Sequence, residues 1–69
     1  MSKYQKGMTI ILDDNNEYII LRTNIINDIQ YAYVQNIDDS EDDAFISIIN
    51  DYIQVVKDPQ LINYLFENM

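Results

Sequence analysis

Residues 36–45, NIDDSEDDAF, hold Asp38, Asp39, Glu41, Asp42 and Asp43, five of the chain's 12 acidic residues. The nearest cations along the chain are Arg22 and Lys57. Carboxylates at this density could hold a hard cation, share a proton, or attract a basic partner. Calcium loops place oxygen ligands at alternate positions, and Asp39, Glu41 and Asp43 alternate. Such loops also need a glycine at their sixth position and a glutamate at their twelfth. There is no glycine here, and the twelfth position falls on Ile49 or Asn50. The shorter run Asp13, Asn15 and Glu17 alternates around a turn in the same way and lacks the same partners. No metal or other cofactor is therefore expected.

Acid–base catalysis needs two groups with separated pKa values. Nothing in these runs would separate one carboxylate from the next. The chain has no histidine and no cysteine, so neither a Ser/His nor a Cys/His nucleophile is available. Its single glycine cannot make a phosphate-binding loop. The residue types point away from an enzyme and towards electrostatic binding.

The whole chain carries a net charge of −8 with only four cations, Lys3, Lys6, Arg22 and Lys57. Such a surface repels DNA, RNA and anionic membranes. Apolar runs such as 18–21 fall far short of the ~20 residues that span a bilayer. No apolar segment of leader length follows the basic start MSKYQKGM. The expected setting is the cytoplasm, without a membrane or direct nucleic-acid partner. At 69 residues the chain makes one domain, 1–69. Hydrophobic residues make up 48%, enough to build a core.

The elements that would position the acids read as a small sheet. Short apolar runs rich in Ile and Tyr are separated by Asp/Asn clusters. Strands are expected over about 8–12, 17–26, 29–37, 44–49 and 52–56. Gly7 marks a bend, DDNN a tight turn, and Asn27-Asp28 and Asn50-Asp51 two-residue hairpin turns. The acidic residues 38–43 form a loop between the third and fourth strands. At the end the period changes: Asp58 is placed to cap a helix over about 59–68, with Pro59 at its first position. Leu61, Ile62, Leu65, Phe66 and Met69 then share one helical face. The fold is mainly β: a five-stranded antiparallel meander, curled into a small SH3-like half-barrel, plus one short C-terminal helix.

Alternation in the second strand sets Arg22 and Asn24 against Leu21, Thr23 and Ile25, placing Ile19 and Leu21 inward. Ile46, Ile48, Ile53 and Val55 point inward from the fourth and fifth strands. If Ala32 and Val34 are inside, Tyr18, Ile20, Tyr31 and Tyr33 share the other face. Either the helix covers that face or it is an exposed contact surface.

In layout the chain resembles a group of small acidic bacterial and phage proteins of uncharacterised function. The stretches GMTIILDD, NNEYIILRT, IQYAYV, DDSEDD and DPQLINYLF carry the resemblance, over about residues 7–66. It implies the meander-plus-helix fold. Among small acidic phage proteins are inhibitors of CRISPR nucleases and restriction enzymes, some of which imitate the charge of DNA.

The function expected is therefore protein binding without chemistry. Asp38, Asp39, Glu41, Asp42 and Asp43 would give long-range attraction, and exposed Tyr31 and Tyr33 would give contact area. The narrower alternative is a DNA mimic blocking a basic nucleic-acid-binding protein. The other is a structural or self-associating role in which charge serves solubility alone. A monomer and a homodimer both fit this composition.

Overall fold

A computed structural model describes residues 3–69 of the domain expected over 1–69; Met1 and Ser2 lie outside the described residues. Five strands, β1 (Thr9–Ile11), β2 (Glu17–Ile26), β3 (Ile29–Asn36), β4 (Asp39–Ile49) and β5 (Tyr52–Val55), are followed by helix α1 (Pro59–Asn68). The strands form one antiparallel sheet in sequence order, β1-β2-β3-β4-β5, curled into a half-barrel. The accessible surface of 5052 Å² is somewhat above the ~4,500 Å² expected of a compact chain of this mass.

The two-residue turns form as their residue types dictate. Asn27 (φ 53°), Asp28 (φ 65°), Asn50 (φ 50°) and Asp51 (φ 66°) all have left-handed backbone. Positive φ at both central positions is the type I′ requirement, and its twist matches that of the flanking strands. Gly7, at φ 94°, makes the bend that leads into β1. The α1 cap is also in place, since the Gln60 N–H donates to Asp58 Oδ1 at 3.0 Å.

Both faces of the sheet are covered. On the concave face Ile10, Tyr18, Ile20, Ala32, Val34, Ile46 and Ile48 form the larger core, with Tyr4, Leu12, Ala44 and Ile53 packed around it. On the convex face Tyr31, Phe45 and Leu65 form a second core beneath α1, joined by Leu61, Ile62 and Met69. The helix covers the face that carries Tyr31 and Tyr33, whereas Tyr18 and Ile20, expected beside them, lie in the other core. Phe66 is the exception on the helical stripe: it is 77% exposed, and its ring meets that of Phe45 in a T-shaped contact with centroids 6.4 Å apart.

Three expectations are corrected. In β2 it is Tyr18 and Ile20, not Ile19 and Leu21, that enter the concave core. The cause is a β-bulge: Ile20 pairs with Val34, yet Arg22 pairs with Tyr33, so Leu21 is the extra residue. A bulge shifts the inside/outside phase by one, and alternation counted back from Arg22 across it gives the wrong face. Residues 39–43, expected in a loop, belong to β4. The turn itself is only Ile37-Asp38, with Asn36 paired to Asp39. Val55, expected inside, is 36% exposed at the sheet's edge.

Candidate functional site

The β1–β2 turn carries Asp13 and Asp14, and Glu17 opens β2. The β3–β4 connection carries Asp38, Asp39, Glu41, Asp42 and Asp43. Pairing of Tyr18 with Asn36 and of Asn36 with Asp39 brings both groups to one end of the sheet. Eight of the chain's 12 acids therefore share that end. The one ion pair among the described residues, Lys3 with Asp51 at 3.7 Å, is exposed and lies at the opposite end.

Tyr18 joins the two acidic groups. Its ring is buried, 3% exposed, in the concave core. Its hydroxyl reaches Asp14 Oδ2 and Asp42 Oδ2, each at 2.8 Å. A phenol carries one hydrogen, so the two bonds are alternatives and it donates to one carboxylate at a time. The bonds to Asp42 and Asp14 hold the Tyr18 hydroxyl well above the usual phenol range, because ionisation would place a third anion there. Asp14 is held below the usual carboxylate range, first by the Asn16 N–H (3.0 Å) and then by Tyr18.

A second, wider irregularity shapes the β3–β4 side. Gln35 pairs with Asp43 but Asn36 pairs with Asp39, so residues 40–42 bulge out of the ladder. Side chains of β3 hold this bulge. Gln35 Nε2 donates to the Ser40 carbonyl (2.7 Å) and Asn36 Nδ2 to Asp42 Oδ2 (3.1 Å). Asn36 Oδ1 accepts from the Asp38 N–H (2.8 Å), and Asp39 Oδ1 from the Glu41 N–H (3.0 Å). Asn36 is the one buried polar residue among those described, at 8% exposure, and both ends of its amide are satisfied.

Tyr33 connects this end to the convex face. Its hydroxyl donates to Asp43, which pushes the phenol's pKa upward, and its ring tilts against Phe45 with centroids 5.2 Å apart. The two rings, with Arg22, Leu65, Phe66 and Met69, line an open cleft of about 270 Å³ at the margin of α1. The Arg22 guanidinium closes one wall by donating to the Met69 carbonyl at 2.6 Å.

Of the residues expected at the site, the five acids and Tyr33 are brought together. Neither tyrosine is exposed as expected: Tyr31 is buried, 9% exposed, under α1 with Phe45 and Leu65, and Tyr33 is half-buried against the same core. Tyr18, Asp14 and Asn36 were not legible as site residues. Their only signal was a tyrosine four positions beyond an acid, and its meaning depends on the strand register. Among the described residues no three acidic side chains converge as metal ligands would, and no helix is long and apolar enough to cross a membrane.

Fold and site together define a small acidic β half-barrel, capped by one helix, with its charge gathered at one end. No protein-family model, curated protein or solved structure matches the chain.

Proposed function

We propose that this chain is a non-enzymatic binding module whose acidic end docks on a basic surface of a protein partner. One observation carries the reading. Two acidic segments, separate in sequence, are gathered at one end of the sheet and tied by a single buried tyrosine. Holding like charges together costs stability, and a domain needing charge only for solubility would gain more by spreading it. The end attracts a basic partner over a distance and speeds encounter. The adjoining cleft, with Tyr33, Phe45 and the exposed Phe66, offers aromatic contact once the partner has docked.

The fixing of Asp14, Asp42 and Asp43 by tyrosine hydroxyls favours a narrower second reading. Carboxylates held in place can stand in for phosphates, and the partner would then be a nucleic-acid-binding protein whose groove this end occupies.

The test spares the tyrosine-bound acids, so that the fold is retained. Asp13→Asn, Asp38→Asn, Asp39→Asn and Glu41→Gln are combined, and proteins captured from lysate are compared with those of the parent chain at low and moderate salt. The quadruple variant should lose the salt-sensitive partner, and a nucleic-acid competitor should displace that partner if the second reading holds. Equal capture by both chains at both salt concentrations would overturn the proposal.

A further inference from the structure

The free edge of β5 is unlike the rest of this acidic surface. β5 ends the sheet, and Tyr52, Ile53, Gln54 and Val55 carry no charge, proline or bulge. Exposed strand edges are ordinarily blunted by such features. Tyr52 is 67% exposed and Val55 36%. The other edge strand, β1, is only three residues long.

The ladder determines which β5 groups face outward. Tyr52 pairs with Ile49 across the two-residue turn, and the Val56 N–H donates to the Phe45 carbonyl at 2.8 Å. In an antiparallel pair the hydrogen-bonded positions alternate. Tyr52, Gln54 and Val56 therefore bond inward to β4, while the N–H and C=O groups of Ile53 and Val55 point to the open side.

A second copy running antiparallel can bond to these groups in few registers, because outward positions must meet outward positions. Centring on Ile53 sets Asp51 against Val55, and centring on Val55 sets Ile53 against Lys57. Centring on Gln54 sets Ile53 against Val55 and Asp51 against Lys57, twice each. The segment DYIQVVK is thus self-complementary in charge and shape about Gln54. Lys57 has no ion pair among the described residues. Antiparallel pairing also sends the two acidic ends in opposite directions, which limits repulsion between two chains of charge −8.

We infer that the protein self-associates as a two-fold dimer through β5, with Ile53 bonded to Val55 of the second copy and Gln54 on the axis. The contact is independent of the acidic end. It closes two open edges into one continuous sheet with four new backbone hydrogen bonds, and the small area makes the dimer concentration-dependent.

Sedimentation equilibrium at physiological salt tests this. The parent chain should approach twice its 8.2 kDa mass as its concentration rises to about 1 mM. Val55→Pro removes an outward N–H and leaves the β4 ladder intact, so this variant should remain monomeric. Gln54→Lys and Gln54→Glu each place like charges opposite one another and should weaken association about fivefold, while an equimolar mixture should recover it. Gln54 is exposed, so this pair decides the matter even if Val55→Pro fails to fold. A monomer throughout the range, or dimers unaffected by the Gln54 charges, would overturn the inference.

Discussion

The two ends of this sheet solve the same problem differently. At one end, Asn27-Asp28 and Asn50-Asp51 reverse the chain in two residues each, by left-handed backbone alone. The side-chain contacts near them are an exposed ion pair at Asp51 and the Gln30 amide, whose Nε2 donates to Thr23 Oγ1 and to the Tyr4 carbonyl. At the other end the β3–β4 ladder carries a three-residue bulge, and its shape depends on side chains: Tyr18, Gln35 and Asn36. Regular turns hold a strand register cheaply. The acidic end is instead irregular, like-charged and built around a buried donor, so its shape rests on specific side chains and not on a turn type.

The largest effect expected of this difference comes from its central residue. Tyr18→Ala removes a buried ring and the tie between the two acidic segments, and should cost about 3–5 kcal/mol in urea unfolding. Loss below about 1 kcal/mol would mean that the acidic end is held by its backbone after all, as the opposite end is.

Tyr18→Phe sharpens the comparison by keeping the ring and removing only the donor. The expected cost at neutral pH is about 1–3 kcal/mol, the range for a hydrogen bond to a charged group. The pH dependence has a definite sign. The phenol's pKa is raised in the folded state, so its contribution is complete below its unfolded value near 10 and is lost as pH rises through the folded value. The parent chain should therefore lose stability above pH ~10, and Tyr18→Phe should lose less. Tyr33, shifted the same way by Asp43, leaves a residual slope. The carboxyl of Asp14 is shifted downward, so its contribution is complete above about pH 4 and lost as pH falls through the folded value. Thermal melts across both arms check this. Parallel curves for the two proteins would show that the hydroxyl is not coupled to folding.

The regular end was legible in the sequence and the irregular end was not. Asn-Asp pairs flanked by β-branched runs specify their turns locally, and Asp58-Pro59 specifies its helix start in the same way. A bulge leaves no such mark. YIILR is apolar from Tyr18 to Leu21, so no polar residue reveals where the alternation slips. Likewise DDSEDD has the composition of a solvated loop. Its place in β4 comes from cross-strand bonds to Gln35 and Asn36, which local propensity does not see. The acids of the site could be chosen by composition, but their neighbour across the sheet, Asp14, could be found only once Tyr18 was known to point inward.

At the regular end a smaller effect of opposite sign is expected. Asp28 sits at φ 65°, where glycine carries no steric penalty, and Asn-Gly is the preferred type I′ pair. Asp28→Gly should stabilise the domain by up to about 1 kcal/mol, seen as a raised urea midpoint with an unchanged slope. A lower midpoint would show that the Asp28 side chain contributes something that this turn's backbone does not require.

The smallest effect is that of salt. Eight carboxylates at one end repel one another across a few ångströms to a few tens, a range that screening shortens from about 10 Å at 0.1 M salt to about 3 Å at 1 M. The melting temperature should therefore rise by a few degrees between low salt and about 0.5 M, a change worth roughly half a kcal/mol in a domain of this size. The rise belongs to the acidic end and not to net charge in general. The quadruple variant Asp13→Asn, Asp38→Asn, Asp39→Asn and Glu41→Gln should start at a higher melting temperature in low salt and respond less. Removing the two acids of the regular turns, by Asp28→Asn with Asp51→Asn, should leave most of the salt response in place. If the two sets of variants flatten the curve in proportion to the charge each removes, repulsion is spread over the whole surface. Clustering at one end would then impose no special cost, and the case for a surface kept for binding would lose its energetic support.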